Sequence, residues 1–239
     1  MSHKINQLSF KDFESREAQI EQWNQELLDC RFSYPLPVFR WPPQATERGC
    51  FPRYQRLPKV CVDIGANVGA FSYYAAPYFK NIYAFEPVSK TAAVATTNLK
   101  EDTHVHIYNL AVGSTDGATV DLTSDTTNLS RDASSFHDIT GPVENCKTIS
   151  LEGIYELCGF DYIDYLKVDC EGAEYDFLYD KDLSKINFLS IEVHPGFIGR
   201  KKTTELMKHI DQFFGPLLTL GDHIGVYQTR LQGETNERK

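Results

Sequence analysis

The 239-residue chain is predicted to be an α/β protein with a mostly parallel sheet covered by helices on both faces. Two observations predict it. From Lys59 onward, short apolar runs alternate with amphipathic stretches, and strands alternating with helices imply a parallel sheet buried on both sides. The first apolar run, KVCVDI, enters a glycine-bearing loop, GANVG, just before a helical stretch. In open parallel sheets that junction lies at the carboxyl ends of the strands, where ligands bind.

Taken in order, residues 9–30 space Phe13, Ile20, Trp23, Leu27 and Leu28 among charged residues, as one amphipathic helix does. Residues 31–59 differ. Prolines interrupt regular structure there and bias their predecessors towards extended backbone. Six cations (Arg31, Arg40, Arg48, Arg53, Arg56, Lys59) face one acid, Glu47, with Phe32, Tyr34, Phe39, Trp41, Phe51 and Tyr54 interleaved. Either this arm packs its aromatics on the main domain, or its arginine forks line a site for an anionic or sugar-containing substrate. Strands are then expected at KVCVDI, NIYAFE, HVHIYNLAV, YIDYLKVD and INFLSIEVH, with closing strands at LLTLG and GVYQTR. Helices are expected at AFSYYAAPYF, SKTAAVATTNLK, EGAEYDFLY and about 201–214. Residues 113–145 read as a hairpin strand near ATVDL, a long polar loop and a strand near CKTIS; a loop of that length is functional or disordered. The division is an arm over 1–58, a ligand-binding catalytic domain over 59–230, and a frayed tail over 231–239.

A formal net charge of −9 is a poor starting point for a general nucleic-acid binder. No uncharged apolar run reaches the ~20 residues of a membrane helix, and the first residues lack a signal peptide's apolar core. A cytoplasmic protein without membrane association is expected, with its oligomeric state open. The six cysteines form no C-x-x-C pair and read as free thiols rather than disulfides or zinc ligands.

The loop pattern is D-x-G-x-x-x-G: Asp63, Gly65 and Gly69, with Ala66 and Asn67 between. A pyrophosphate-binding loop uses G-x-G-x-x-G at a helix start. Here a carboxylate stands beside the bend. It repels linked phosphates and attracts an ammonium, while backbone N–H groups at the helix start hold a carboxylate. An amino acid supplies both charges, and S-adenosylmethionine carries an amino-acid end. Glu86, in YAFEP at the end of the second strand, is placed to accept hydrogen bonds from both hydroxyls of an adenosine ribose, with Pro87 beside it. The competing reading keeps the glycines for packing, Asp63 as a helix cap and Glu86 in solvent.

VDIGANVG, YAFEP, NLAVG and DYLKVDCEGAEYDFL followed by IEVHP resemble the FkbM family of S-adenosylmethionine-dependent methyltransferases over about residues 59–195. The resemblance implies a class I methyltransferase Rossmann-like sandwich with a seven-stranded sheet, and O-methylation of sugar or natural-product hydroxyls. One departure stands out: the family often has a glycine after the E-G-x-E-x-x-x-L helix, where this chain reads LYDKD.

Methyl transfer needs in-line alignment, and a weakly nucleophilic hydroxyl benefits from a general base. Candidates are Asp169 and Glu171 at the end of the fourth strand and Glu192 and His194 at the end of the fifth. Asp169 is also placed to face the methionine end of the cofactor. Strand alternation puts Lys167 with Asp169, and Glu192 with His194, on shared faces; a Lys167–Asp169–Glu171 network that only caps the sheet is the competing reading. The usual pKa of histidine, about 6.5, suits His194 to act as a base. Glu174 is read as facing solvent or bracing the turn. The four candidates could also ligate a divalent cation, although none is expected. Ala111 and Val112, at the end of the third strand, are candidates to pack on the adenine. Ser134 and Ser135 are candidate loop contacts, and His104 and His106 are read as structural. The expected partner is a small-molecule or glycan acceptor, without nucleic acid. Open alternatives are methylation of another small molecule, of protein or of nucleic acid, and a non-catalytic cofactor-binding module. A nicotinamide oxidoreductase is disfavoured by Asp63 and the missing third glycine.

Overall fold

A computed structural model of the chain describes residues 60–123, 143–215, 219–220 and 224–228. The expected N-terminal helix, the basic arm, Ser134 and Ser135, and the tail lie outside these residues.

The strands are β1 (Val60–Ile64), β2 (Asn81–Phe85), β3 (Val105–Tyr108), β4 (Ala111–Val112), β5 (Thr119–Thr123), β6 (Val143–Ile149), β7 (Ile163–Val168), β8 (Ile186–Glu192), β9 (Thr219–Leu220) and β10 (Ile224–Gln228). The helices are α1 (Ala70–Ala75), α2 (Ser89–Asn98), α3 (Leu151–Cys158), α4 (Glu174–Leu178) and α5 (Pro195–Phe213). The main sheet runs β3-β2-β1-β7-β8-β10-β9, and a smaller one runs β4-β6-β5. β1, β2, β3, β7 and β8 pair in parallel, whereas β10 runs antiparallel to β8 and β9. Strand order reverses at the β1–β7 boundary, so a crevice opens at the carboxyl ends of those two strands.

Every residue of β1 and β7 is buried. Alternate side chains feed two separate apolar layers. Val60, Val62 and Ile64 join Leu166, Val168, Phe177 and Leu189 on one face. Cys61 joins Phe71, Phe79, Ile82 and Tyr165 on the other. No helix among the described residues is long and apolar enough to cross a membrane.

Three details depart from the sequence reading. The run HVHIYNLAV is two strands, not one. Asn109 donates from its side-chain amide to the carbonyls of Glu86 (3.0 Å) and Pro87 (2.8 Å), and the chain leaves the main sheet there. Ala111 and Val112 instead pair in parallel with β6. The helix α3 was not anticipated, although its signals are present. Ser150 caps it by accepting the Gly153 N–H at 3.0 Å, and Gly159 ends it in left-handed conformation. The helix expected over about 201–214 is present, but α5 also takes in a short helical stretch from Pro195 that joins it across a kink at Gly199 (φ 80°). Where the resembling family often has glycine, Asp180 takes φ 62°, a conformation that aspartate tolerates better than most residues.

The bend after β1 is fixed from beneath by β7. Lys167, 3% exposed, donates its ammonium to the carbonyls of Ile64 (3.1 Å) and Gly65 (2.7 Å). It also stands 3.2 Å from Oδ1 of the fully buried Asp63. That contact is an ion pair rather than a directed hydrogen bond, since Oδ1 has no hydrogen-bond partner among the described residues. The other oxygen, Oδ2, accepts from Ser72 Oγ at 2.7 Å. Gly65 (φ 72°) passes so close to β7 that a Cβ there would lie 1.7 Å from the Asp169 carbonyl oxygen. At Gly69 (φ 90°) an added Cβ would meet side chains rather than backbone, Leu99 Cδ1 at 2.7 Å and the Ala95 Cβ at 3.4 Å.

Two stability measurements follow from this arrangement. Gly65→Ala forces backbone against backbone and should cost roughly 2–4 kcal/mol in urea unfolding. Gly69→Ala, relieved by a rotamer change of Leu99, should cost distinctly less. Lys167→Met leaves the Asp63 carboxylate buried without its cation, for a loss of about 3–5 kcal/mol; equal unfolding midpoints for wild type and variant would show that Asp63 does not depend on that ammonium.

Candidate functional site

The crevice at the β1–β7 boundary is a cleft enclosing ≈ 700 Å³ of empty space, part of it open to solvent. Gly65, Asn67, Glu86, Pro87, Ala111, Val112, Asp169 and Glu171, all singled out from the sequence, line it. Thr91, Leu110, Cys170 and Ala173 line it too and were not foreseen. Ala66 is buried, and Gly69 packs on α2 instead.

Asp63 is not in the cavity wall. The sequence reading set its carboxylate against a ligand ammonium across the bend. In the structure it lies behind the bend, wholly buried and paired with Lys167. Its charge shapes the loop through that lysine. The acidic groups that face the cavity are Glu86, Asp169 and Glu171.

Glu86 is built into the loop. Its Oε2 accepts the Asn67 N–H at 2.9 Å and its Oε1 accepts the Val88 N–H at 3.0 Å. Asn67 reaches this bond in left-handed conformation, at φ 49°. The N–H groups of Gly65 and Ala66 both go to the Phe85 carbonyl, at 3.0 and 3.1 Å. Each carboxylate oxygen of Glu86 thus keeps acceptor capacity for a further donor. Burial pushes its pKa up to about 7, against the pull of the two backbone N–H groups and of Lys167. Beside it, Leu110, Ala111 and Val112 supply an apolar wall.

The other end of the cavity is charged. Asp169 directly follows β7, and the chain then turns through Glu171 (φ 48°) and Gly172 (φ 109°). A non-glycine residue held in left-handed conformation stores strain of the kind that gathers at functional sites. The Asp169 N–H donates to the Ile64 carbonyl at 3.1 Å, which ties this turn to β1. β8 ends in Glu192, followed by His194. The ring of His194 meets Glu174 Oε1 through Nδ1 at 2.6 Å and Glu171 Oε2 through Nε2 at 3.2 Å. Glu192 Oε1 stands 3.7 Å from the same Nε2. The four catalytic candidates therefore meet in one cluster, with Asp169 and Glu171 on the cavity wall.

Of the two readings of Glu174, facing solvent or bracing the turn, the structure shows the second, and it adds a contact with His194 that was not expected. It does not face solvent: it is fully buried, braces the turn by accepting the Gly172 N–H at 3.0 Å, and holds the His194 ring. Its place one turn into E-G-x-E, with a histidine ending the neighbouring strand, was the available signal. The electrostatics change the role of His194. Burial pulls its pKa down, but the hydrogen bond and charge of Glu174, then Glu171 and Asp169, outweigh it and lift it to about 9. Near neutral pH it is an imidazolium and not the free base expected from its ordinary pKa. Burial raises Glu171 to about 7, with His194 opposing and the nearby carboxylates reinforcing. Lys167 Nζ lies 3.8 Å from Asp169 Oδ2, so one lysine joins the loop to this cluster.

His104 is structural, its Nε2 bonded to the Ala76 carbonyl at 2.9 Å, and His106 stacks on Tyr83. Cys61, Cys146, Cys158 and Cys170 are free thiols.

Comparison with known proteins gives the following. A search of curated proteins returned no match. Among solved structures, an rRNA methylase from Streptococcus thermophilus is 11% identical with a TM-score of 0.42, covering 72% of this chain and 87% of its own. Fibrillarin from Aeropyrum pernix, solved with natively bound S-adenosyl-L-methionine, is 8% identical with a TM-score of 0.42, covering 73% of this chain and 67% of its own. A protein of the NADB-Rossmann superfamily from Streptococcus agalactiae is 14% identical with a TM-score of 0.43, covering 75% and 65%. The family described as the methyltransferase FkbM domain matches residues 63–224, which takes in the loop, Glu86 and the whole charged cluster. The chain belongs to the FkbM methyltransferase family and is an S-adenosylmethionine-dependent methyltransferase.

Proposed function

We propose that the protein transfers a methyl group to a hydroxyl of a small polyhydroxylated acceptor, a sugar or glycoconjugate. The observation that carries this reading is the cluster of Asp169, Glu171, Glu192 and His194 at one end of the cavity. A hydroxyl is a weak nucleophile whose proton must go somewhere as the new bond forms, and carboxylates at hydrogen-bond range supply the destination. Sugars, with several hydroxyls, also match a rim rich in acceptors.

The cavity divides by chemistry in a way that fits S-adenosylmethionine. Glu86 has an acceptor site left on each oxygen for the two ribose hydroxyls. Ala111, Val112 and Leu110 offer an apolar surface to the adenine. Gly65 and Asn67 present backbone, and Asp169 stands where an ammonium is welcome. When bound, the cofactor supplies a sulfonium methyl, to which the acceptor oxygen bonds as the C–S bond breaks and its electron pair stays on sulfur. The chain's own part is to orient the hydroxyl and take its proton. Glu171 and Glu192 flank His194 and do this together. His194, held by Glu174, keeps the two carboxylates apart and aimed at the cavity.

Cofactor binding should depend on the charge of Glu86. Ribose hydroxyls donate to a carboxylate, and protonation at its raised pKa of about 7 removes acceptor capacity. Affinity for S-adenosylhomocysteine, followed by calorimetry, should therefore rise about three- to tenfold between pH 6 and 8, since one pKa unit of preference is a factor of ten. In Glu86→Gln the curve should be flat and the affinity low throughout.

Glu171→Gln and Glu192→Gln should each lower methyl transfer by roughly 100-fold or more, with S-adenosylhomocysteine affinity changed only a few-fold. The assay follows labelled methyl from the cofactor into panels of glycans, polyols, RNA and protein. Label recovered in RNA or protein, with none on hydroxyl acceptors, would replace this reading. The absence of transfer to every panel would favour a cofactor-binding module.

A further inference from the structure

We propose that Asp169, Glu171 and His194 bind one divalent cation, of the Mn²⁺ or Mg²⁺ type, at the charged wall of the cofactor cavity. One ligand atom from each of the three lies within 4.8 Å of the others. A cation with bonds of about 2.0–2.2 Å spans donors up to roughly 4.4 Å apart. Small side-chain rotations therefore close the set around an ion. All three residues are partly exposed, and Asp169 and Glu171 line the cavity, so an ion has a path in.

Glu174 is an independent indication. It is fully buried and aimed into the cluster. Its Oε1 lies 2.6 Å from His194 Nδ1, whereas its Oε2 is buried with no hydrogen-bond partner among the described residues. A carboxylate on one ring nitrogen is the arrangement that fixes a metal-binding histidine: the N–H points to the carboxylate and the other nitrogen points to the ion. Here that other nitrogen, Nε2, faces Glu171 at 3.2 Å and Glu192 at 3.7 Å.

Two carboxylate oxygens and one imidazole nitrogen favour a hard or borderline ion over the soft ions that thiolates select. Three protein ligands leave coordination positions open. On the O-methylation reading, an acceptor hydroxyl takes one of them; the ion holds its oxygen and eases loss of its proton, and, because Glu171 is then engaged as a ligand, Glu192 alone of the pair receives that proton. Cation binding itself does not rest on that reading.

The test is Mn²⁺ titration of the full chain, alone and loaded with S-adenosylhomocysteine, reading free Mn²⁺ by electron paramagnetic resonance. One equivalent should bind, be displaced by excess Mg²⁺, and weaken at least tenfold in Glu171→Gln and in His194→Ala. Glu174→Gln should weaken it by about 10–100-fold, as loss of a carboxylate behind a metal-bound histidine does. Thermal unfolding of each variant checks that it is folded, and partly exposed Glu171 tolerates the amide in any case. No Mn²⁺ binding by the wild type, or binding unchanged in folded Glu171→Gln and His194→Ala, overturns the proposal. Label appearing in RNA rather than on hydroxyls would instead overturn the acceptor assignment and leave the cation site standing.

Discussion

Lys167 reaches from β7 beneath the bend that follows β1, and most of the site depends on where its ammonium lands. A lysine 3% exposed is costly unless its charge and its donors are met. Two loop carbonyls and the Asp63 carboxylate meet them. The same lysine approaches Asp169, so one side chain fixes the spacing between the loop and the charged turn. The lack of a side chain at Gly65 lets the two backbones come this close.

The walls of the cavity then do different chemical work. On one side, Glu86 is held by two backbone N–H groups beside small apolar residues. That carboxylate keeps acceptor capacity on each oxygen. On the other, three carboxylates and an imidazole crowd the ends of β7 and β8, over a fourth carboxylate that is wholly buried. Crowding like charges in a half-buried place has a free-energy cost, and folding tolerates it only where the rest of the structure holds the groups in place. The extended core beneath β7 and β8 does so. The strained backbone of Glu171 belongs to the same compromise.

The strand–loop–helix order, the buried central strands and the position of the crevice were legible in the sequence, because each follows from local periodicity and from glycine placement. So were the residues at or beside the cavity: Glu86 and Asp169 directly follow strands, and the two-residue period brings Glu192 and His194 together. The sequence reading failed where a local pattern is overridden. The third strand divides because the Asn109 amide finds two carbonyls of another loop. α3 was overlooked although a serine cap and a closing glycine mark its ends.

By itself, the sequence determined which chemical groups stand at strand ends, since alternation along a strand and the chain's turns are short-range properties. Only the tertiary structure decided what those groups do to one another. Asp63 looks from the sequence like a free carboxylate beside a bend, and it is a buried counter-ion. His194 looks like a neutral base, and it is a cation clasped by Glu174. Both reversals have one physical reason: charge and protonation are set by partners a few ångströms away in space, and those partners lie about 100 residues away for Asp63 and 20 for His194.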